Sequence, residues 1–244
     1  NTFWIMIKIF LILRSLLFYS GYIASALLAG FLACCVGPFF NLSNRMKLFS
    51  LWPRFANWLL YSTCNISISI EGKENIPKSP CVIVSNHQGQ WETFYFQYLF
   101  HPMITVLKKE LLFIPFWGWG MWLLKPIAIN RKKAISAFNK IKKKGADRLD
   151  AGLSVLFFPE GTRVGPGKVG KYSGSAFSLA QNSSVYILPM VHNSGDCWPA
   201  HKFLKKPGTI YLKIGKPFFL EGSPKDGAKK VEEWTRKSLE KIRV

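Results

Sequence analysis

From Ser15 to Asn44 the chain carries no charged side chain. Within that stretch Leu16 to Val36 reads LLFYSGYIASALLAGFLACCV, about the length a helix needs to cross a ~30 Å hydrocarbon layer. Residues 1–13 (NTFWIMIKIFLIL) are almost as apolar, broken only by Lys8, and Arg14 marks the junction. The segment 1–36 therefore reads either as one long helix of spanning length or as two apolar helices turning near Ser20-Gly21, and Gly37-Pro38 ends it. Residues 1–70 contain no Asp or Glu, while Lys8, Arg14, Arg45, Lys47 and Arg54 flank the apolar part on both sides. That charge distribution fits a spanning helix and an interfacial hairpin seated on one anionic leaflet equally well.

The whole chain has 244 residues, with 33 Lys and Arg against 13 Asp and Glu, a net charge of +20. Hydrophobic residues make up 49% of it, which excludes a disordered polyelectrolyte. Positive charge joined to apolar surplus points to an anionic phospholipid membrane as partner, and no zinc-finger, RNP or helix-turn-helix signature points to nucleic acid. A non-catalytic basic protein of the membrane surface is the rival that charge alone leaves open. Cysteines at 34, 35, 64, 81 and 197 have neither disulfide nor metal spacing and read as small hydrophobes.

Beyond the anchor, expected over residues 1–44, the segment 45–244 reads as one α/β domain. It opens on a basic, aromatic stretch at 45–61. Strands are expected at Ile66–Glu71, Cys81–Ser85, Pro126–Ile129, Ser154–Phe158, Val185–Val191 and Thr209–Ile214, with helices at 92–100, 132–148, 173–182 and 228–242.

Three clusters carry chemistry. His87 follows the buried-type strand CVIVSN in the sequence NHQGQWE, with Glu92 five residues on. A helix starting near Gln90 lets the first-turn carboxylate hold one ring nitrogen and leave the other to take a proton. No G-x-S-x-G elbow is present, so the pattern suits direct general-base activation of a substrate hydroxyl. His101, His192 and His201 lack such a partner and read as structural. The second cluster, Phe157-Phe158-Pro159-Glu160-Gly161-Thr162-Arg163, again ends a strand and offers a flexible backbone, a hydroxyl and a guanidinium fork suited to phosphate. The third is Arg131 in KPIAINR, either a second phosphate contact or part of the solvated charge run with Lys132 and Lys133.

Taken together, NHQGQWE, AINR, FFPEGTR and ILPMV at 187–191 resemble the glycerolipid acyltransferase family, in particular its lysophosphatidate branch. The resemblance implies a catalytic base at His87 with Glu92 as its acid, and glycerophosphate binding by Arg131, Glu160, Gly161, Thr162 and Arg163. It departs from the family at Glu92, where Asp is usual, at Asn130 and at Val164. It also implies a single mixed-sheet domain with helices on its faces, preceded by an apolar helical membrane anchor. The expected reaction moves a fatty acyl group from acyl carrier protein or coenzyme A to the sn-2 hydroxyl of lysophosphatidate, with another lysophospholipid or a lipid A precursor as alternative acceptor.

Neither a metal nor a cofactor is expected beyond the donor thioester. The expected location is a bacterial inner membrane, with catalysis on its cytoplasmic side. Phe113, Phe116, Trp117, Trp119 and Trp122 are candidates for an acyl slot, with Gly118 and Gly120 giving it room; a membrane-interface belt or plain core fits the same residues. Backbone N–H groups near Gly89 or Gly161 are the expected oxyanion donors. The basic stretch 131–144 suits lipid headgroups or an acidic carrier protein.

Overall fold

The structure, a computed structural model, describes residues 2–130 and 132–243. Its centre is a seven-stranded mixed sheet of β1 (Ile66–Glu71), β2 (Val82–Ser85), β3 (Met103–Lys108), β4 (Ile127–Ile129), β5 (Ser154–Phe157), β6 (Ile187–His192) and β7 (Gly208–Ile214), in the order β1-β7-β6-β2-β5-β3-β4. Only β6 and β7 run antiparallel. Successive side chains leave a strand on opposite faces. Val82 and Val84 thus enter one hydrophobic core and Ile83 the other, as do Val155 and Phe157 against Leu156. With both faces covered, β2 and β6 are buried along their whole length, the burial pattern of continuous apolar runs.

One core is closed by α6 (Ala134–Asp150), α7 (Ser175–Asn182) and α9 (Pro224–Ile242). Ser223 caps α9 by accepting the Asp226 N–H, and Pro224 sits in the first turn where its missing donor costs nothing. The other core takes α4 (Trp91–Leu99), α3 (Leu51–Cys64) and the middle of α1 (Thr2–Val36). Two short helices, α5 (Trp117–Leu123) and α8 (Ser194–Cys197), follow β3 and β6.

Helix α1 runs unbroken through Ser20-Gly21, about 52 Å for its 35 residues, which decides between the one-helix and two-helix readings. Gly21 is a contact and not a turn: a Cβ there would stand 2.9 Å from Leu59 of α3. Side chains from Thr2 to Phe10 are exposed all round, whereas Ser15, Phe18, Gly30 and Ala33 are buried against the domain. By length and composition α1 with its extension to Phe39 is the one helix among the described residues able to cross a membrane. The stretch 45–61 is helical, lying in α2 (Leu42–Phe49) and α3, so the division expected at 44/45 falls inside α2. Asn41 caps α2 by accepting the Asn44 N–H at 2.9 Å, and Pro53 lies in the first turn of α3, where it is tolerated. Leu51, Phe55, Trp58 and Tyr61 of α3 point outward beside the exposed side of α1. This apolar surface makes the protein membrane-associated.

Candidate active site

The carboxyl ends of the adjacent parallel strands β2 and β5 open into the two polar motifs, the usual location of a site in an α/β sheet. His87 follows β2 and is 8% exposed, and its ring stacks on Phe158 with centroids 4.3 Å apart. Its Nδ1 lies 2.9 Å from Glu92 Oε1. That oxygen also accepts the backbone N–H groups of Gln88 and Gly89, each at 2.7 Å, while Oε2 accepts the Ser194 hydroxyl at 2.9 Å. Complete burial opposes a charge on Glu92, yet the bonds from His87 and Gly89 outweigh it and hold the carboxyl below its ordinary range. An ionised Glu92 accepts only, so His87 Nδ1 must carry the proton. His87 Nε2 makes no hydrogen bond among the described residues, and in the neutral tautomer this sets it is the nitrogen open to take a proton.

Behind this pair, His192 is fully buried and burial pushes its titration down. Its Nε2 meets the Asn86 carbonyl at 2.9 Å and its Nδ1 accepts the Ser194 N–H at 3.3 Å, which makes it neutral and structural. Asn86 in turn spans β2 and β6, its amide donating to His192 O and its Oδ1 accepting His192 N–H. The site is therefore supported by Asn86, which stands in the first motif without a role assigned there, and by His192 and Ser194, which lie outside the motifs. Asn193-Ser194-Gly195 does follow a buried strand as NHQ does, and that parallel was the available signal.

The second motif divides. Glu160 is not a phosphate ligand: its Oε2 accepts the His87 N–H and its Oε1 the Gly170 N–H, both at 2.8 Å. Burial raises its carboxyl to about 7 against those two donors, so it braces the catalytic turn from below. Gly161 takes φ +71° in an exposed turn with Thr162, and Val164 N–H returns to His87 O at 2.8 Å. Arg163, partly exposed, makes no hydrogen bond or ion pair among the described residues and lines a cleft of about 260 Å³ with Gln90, Tyr19 of α1 and residues 198–203. Arg131 lies outside the described residues.

Neither glycine's own N–H is open to an oxyanion: that of Gly89 is taken by Glu92 and that of Gly161 by Phe158 O. Nor do the aromatics of 113–122 enclose a slot: Phe113, Trp119 and Trp122 are exposed, with Phe116 and Trp117 half-buried. Gly118 and Gly120 leave no room for a chain. A Cβ on Gly118 would stand 2.6 Å from two backbone carbonyls, and one on Gly120 would stand 3.1 Å from Phe49. Glycine here lets backbone segments close up, and the aromatics extend the outward apolar surface of α1 and α3.

The arrangement as a whole is an imidazole with a buried carboxylate behind it, its turn tied by the Val164 and Ala200 N–H groups to the walls of a cleft that holds Arg163 and Lys202. It has counterparts. The family model described as Acyltransferase matches residues 67–193. The 1-acyl-sn-glycerol-3-phosphate acyltransferase of Pseudomonas aeruginosa is 40% identical over 235 residues, covering 94% of this chain and 91% of that one. A chloroplastic 1-acyl-sn-glycerol-3-phosphate acyltransferase of Arabidopsis thaliana is 31% identical over 72% of this chain and 48% of its own length. The crystal structure of the 1-acyl-sn-glycerophosphate acyltransferase PlsC from Thermotoga maritima superimposes with a TM-score of 0.79 at 24% identity, covering 97% of this chain and 98% of that one, which establishes the shared fold. With the family model spanning more than half the chain and the Pseudomonas relative matched along nearly its whole length, this chain belongs to the glycerophospholipid acyltransferase family.

Proposed function

We propose that the protein transfers a fatty acyl group from a thioester of acyl carrier protein or coenzyme A to the sn-2 hydroxyl of lysophosphatidate, giving phosphatidate. The observation that carries this reading is the His87–Glu92 pair in a turn that the Val164 and Ala200 N–H groups tie to the walls of a cleft lined by Arg163, residues 198–203 and Tyr19 of α1. A lipid with one chain and a phosphate headgroup suits that cleft, its chain left against apolar surface and its phosphate with the guanidinium.

His87 Nε2 takes the proton of the acceptor hydroxyl as its oxygen attacks the thioester carbonyl. Glu92 stabilises the imidazolium that forms. Collapse of the tetrahedral intermediate breaks the C–S bond, and the proton passes from His87 to the departing sulfur, so the histidine ends neutral. The thioester is already an activated acyl donor, and the balanced step calls for no further cofactor. Arg163 holds the phosphate, with Arg131 as the second contact. The apolar faces of α1, α3 and 113–122 rest in the membrane, which we place as a bacterial inner membrane with the site on its cytoplasmic side; the basic stretch 131–144 faces headgroups or the acidic carrier.

The test is acyl transfer by purified protein, with lysophosphatidate and a lyso-lipid A precursor each offered acyl carrier protein and coenzyme A donors. Lysophosphatidate is expected to be the better acceptor by kcat/KM, and His87→Ala to lose transfer while keeping its thermal unfolding. Full activity in His87→Ala, or transfer only to the lipid A precursor, would overturn the reading.

A further inference from the structure

One wall of the Arg163 cleft is formed by a segment that the catalytic motifs do not explain, residues 198–203 between α8 and β7. On its inner side this loop is fastened to the catalytic turn. The Ala200 N–H donates to Gln88 O at 3.2 Å, and the Trp198 carbonyl sits so close to Gly89 that a Cβ there would lie 2.6 Å from it. On its outer side it is fastened to α1 by a buried cation. Lys205 is 1% exposed, and its Nζ donates to Tyr19 Oη at 2.7 Å, Phe203 O at 2.9 Å and Lys202 O at 3.4 Å. The same ammonium lies 4.3 Å from the Tyr19 ring centroid and 4.9 Å from that of Trp198. Its backbone N–H donates to Ser15 Oγ at 2.9 Å, and Ser15 is fully buried on the inner side of α1.

Burying an ammonium is costly unless its donors are used. Here all three have oxygen acceptors, and two of those acceptors are the carbonyls of Lys202 and Phe203 themselves. The contact therefore sets the backbone at Lys202, an exposed residue that lines the cleft. Tyr19 lines that cleft as well as accepting from Lys205, so the same helix that meets the membrane shapes the place where Arg163 waits.

We propose that residues 198–203 form the second wall of the acceptor's anionic headgroup site, that Lys202 joins Arg163 in holding the phosphate, and that Lys205 is a positioning residue tying this wall to α1. The proposal rests on lysophosphatidate as the acceptor. It assigns the paired cation to a loop beyond β6, outside the histidine and Pro-Glu-Gly-Thr-Arg motifs.

The test is calorimetric binding of short-chain lysophosphatidate to the detergent-solubilised full chain with no donor present, alongside coenzyme A as a second phosphate-bearing ligand. Lys202→Ala is expected to weaken lysophosphatidate about 5- to 10-fold, the size of one charge-assisted contact at a partly exposed site, and to leave coenzyme A unmoved. Tyr19→Phe removes a single acceptor of Lys205 and is expected to weaken lysophosphatidate about 3-fold or more while the KM for acyl thioester stays put; a purely structural loss would move both. Lys205→Met should exceed Tyr19→Phe, and where it fails to fold Tyr19→Phe decides alone. Unchanged lysophosphatidate affinity in Lys202→Ala, a loss confined to coenzyme A, or no binding by the wild type would overturn the proposal. Wild-type protein that binds lysophosphatidate through Lys202 yet never acylates it would leave this site standing and remove the proposed function.

Discussion

Glu92 Oε1 lies 2.9 Å from His87 Nδ1 and on the same oxygen collects the N–H groups of Gln88 and Gly89. One carboxylate thus does two jobs. It fixes the tautomer of the base, and it closes the turn that aims the base, because the donors it gathers come from the residues between His87 and α4. Ser194 on Oε2 links that turn to β6. A change at Glu92 should consequently be read in rate and in stability separately.

In Glu92→Gln the amide oxygen is expected to take the Oε1 position, where three donors converge. Its NH2 then meets Ser194 Oγ, a hydroxyl that can turn to accept. The turn survives but the charge opposite the imidazolium is gone. The expected result is a fall in kcat of about 10²- to 10³-fold with a loss of unfolding free energy of no more than about 2 kcal/mol, measured by initial rates and urea unfolding. A variant equally inactive and largely unfolded would show the turn-closing role to be the larger.

Arg163 makes no ion pair among the described residues, so truncating it leaves no buried partner stranded. Arg163→Ala should raise the KM for lysophosphatidate by about 10- to 100-fold, as expected of charge-assisted phosphate bonds, with kcat and the thioester KM little changed. Arg163→Lys should recover only part of the loss, since an ammonium lacks the planar fork. Initial rates with acceptor and donor varied in turn separate these effects.

What could be read without coordinates was whatever is local along the chain. The runs that became β2, β5 and β6 are apolar and empty directly into polar residues, so their place and the position of His87 and Glu92 followed from spacing alone. β3 gives little signal because its MITVL run lies between His101-Pro102 and the pair Lys108-Lys109, with too little alternation to stand out. Helices α2 and α3 are obscured by Pro53 and by the basic residues Arg45, Lys47 and Arg54 that interrupt their apolar periodicity. The supporting shell was out of reach for another reason: Asn86 meets His192 only because β2 lies beside β6 with Ser85 opposite Met190. The aromatics of 113–122 show the limit of composition, which cannot separate a ring on the outer surface from a ring enclosing a bound chain.

Gly30 on α1 offers a test of how firmly that helix belongs to the domain. A Cβ there would lie 2.8 Å from the Phe116 backbone, and backbone cannot yield as a flexible side chain can. Alanine ordinarily favours a helix over glycine by about 1 kcal/mol, but the overlap should win. Gly30→Ala is expected to lower stability by about 1–3 kcal/mol. Gly165→Ala, where nothing lies within 4 Å of the added carbon, should stay within about 0.5 kcal/mol of wild type. Thermal unfolding in one detergent compares the two, and equal midpoints would mean that α1 is not clamped to the segment before α5.

Glu160 gives the pH dependence a sign. Burial raises its carboxyl from an ordinary 4.5 to about 7, although the Gly170 and His87 N–H groups pull the other way. An acid raised on folding binds its proton more tightly in the folded than in the unfolded chain. Its stabilising contribution is therefore complete below about pH 4.5 and is lost as pH climbs through about 7, where the folded protein must hold a buried charge. Glu160→Gln removes the titration; it keeps one of the two oxygen acceptors and sets its NH2 against the other N–H, a cost that does not change with pH. The unfolding free energy of wild type, taken relative to Glu160→Gln in urea titrations from pH 5 to 8, should fall as pH rises. A difference that instead grows with pH would mean that the two N–H donors hold Glu160 ionised, and that its brace on His87 is a charge-assisted one throughout the working range.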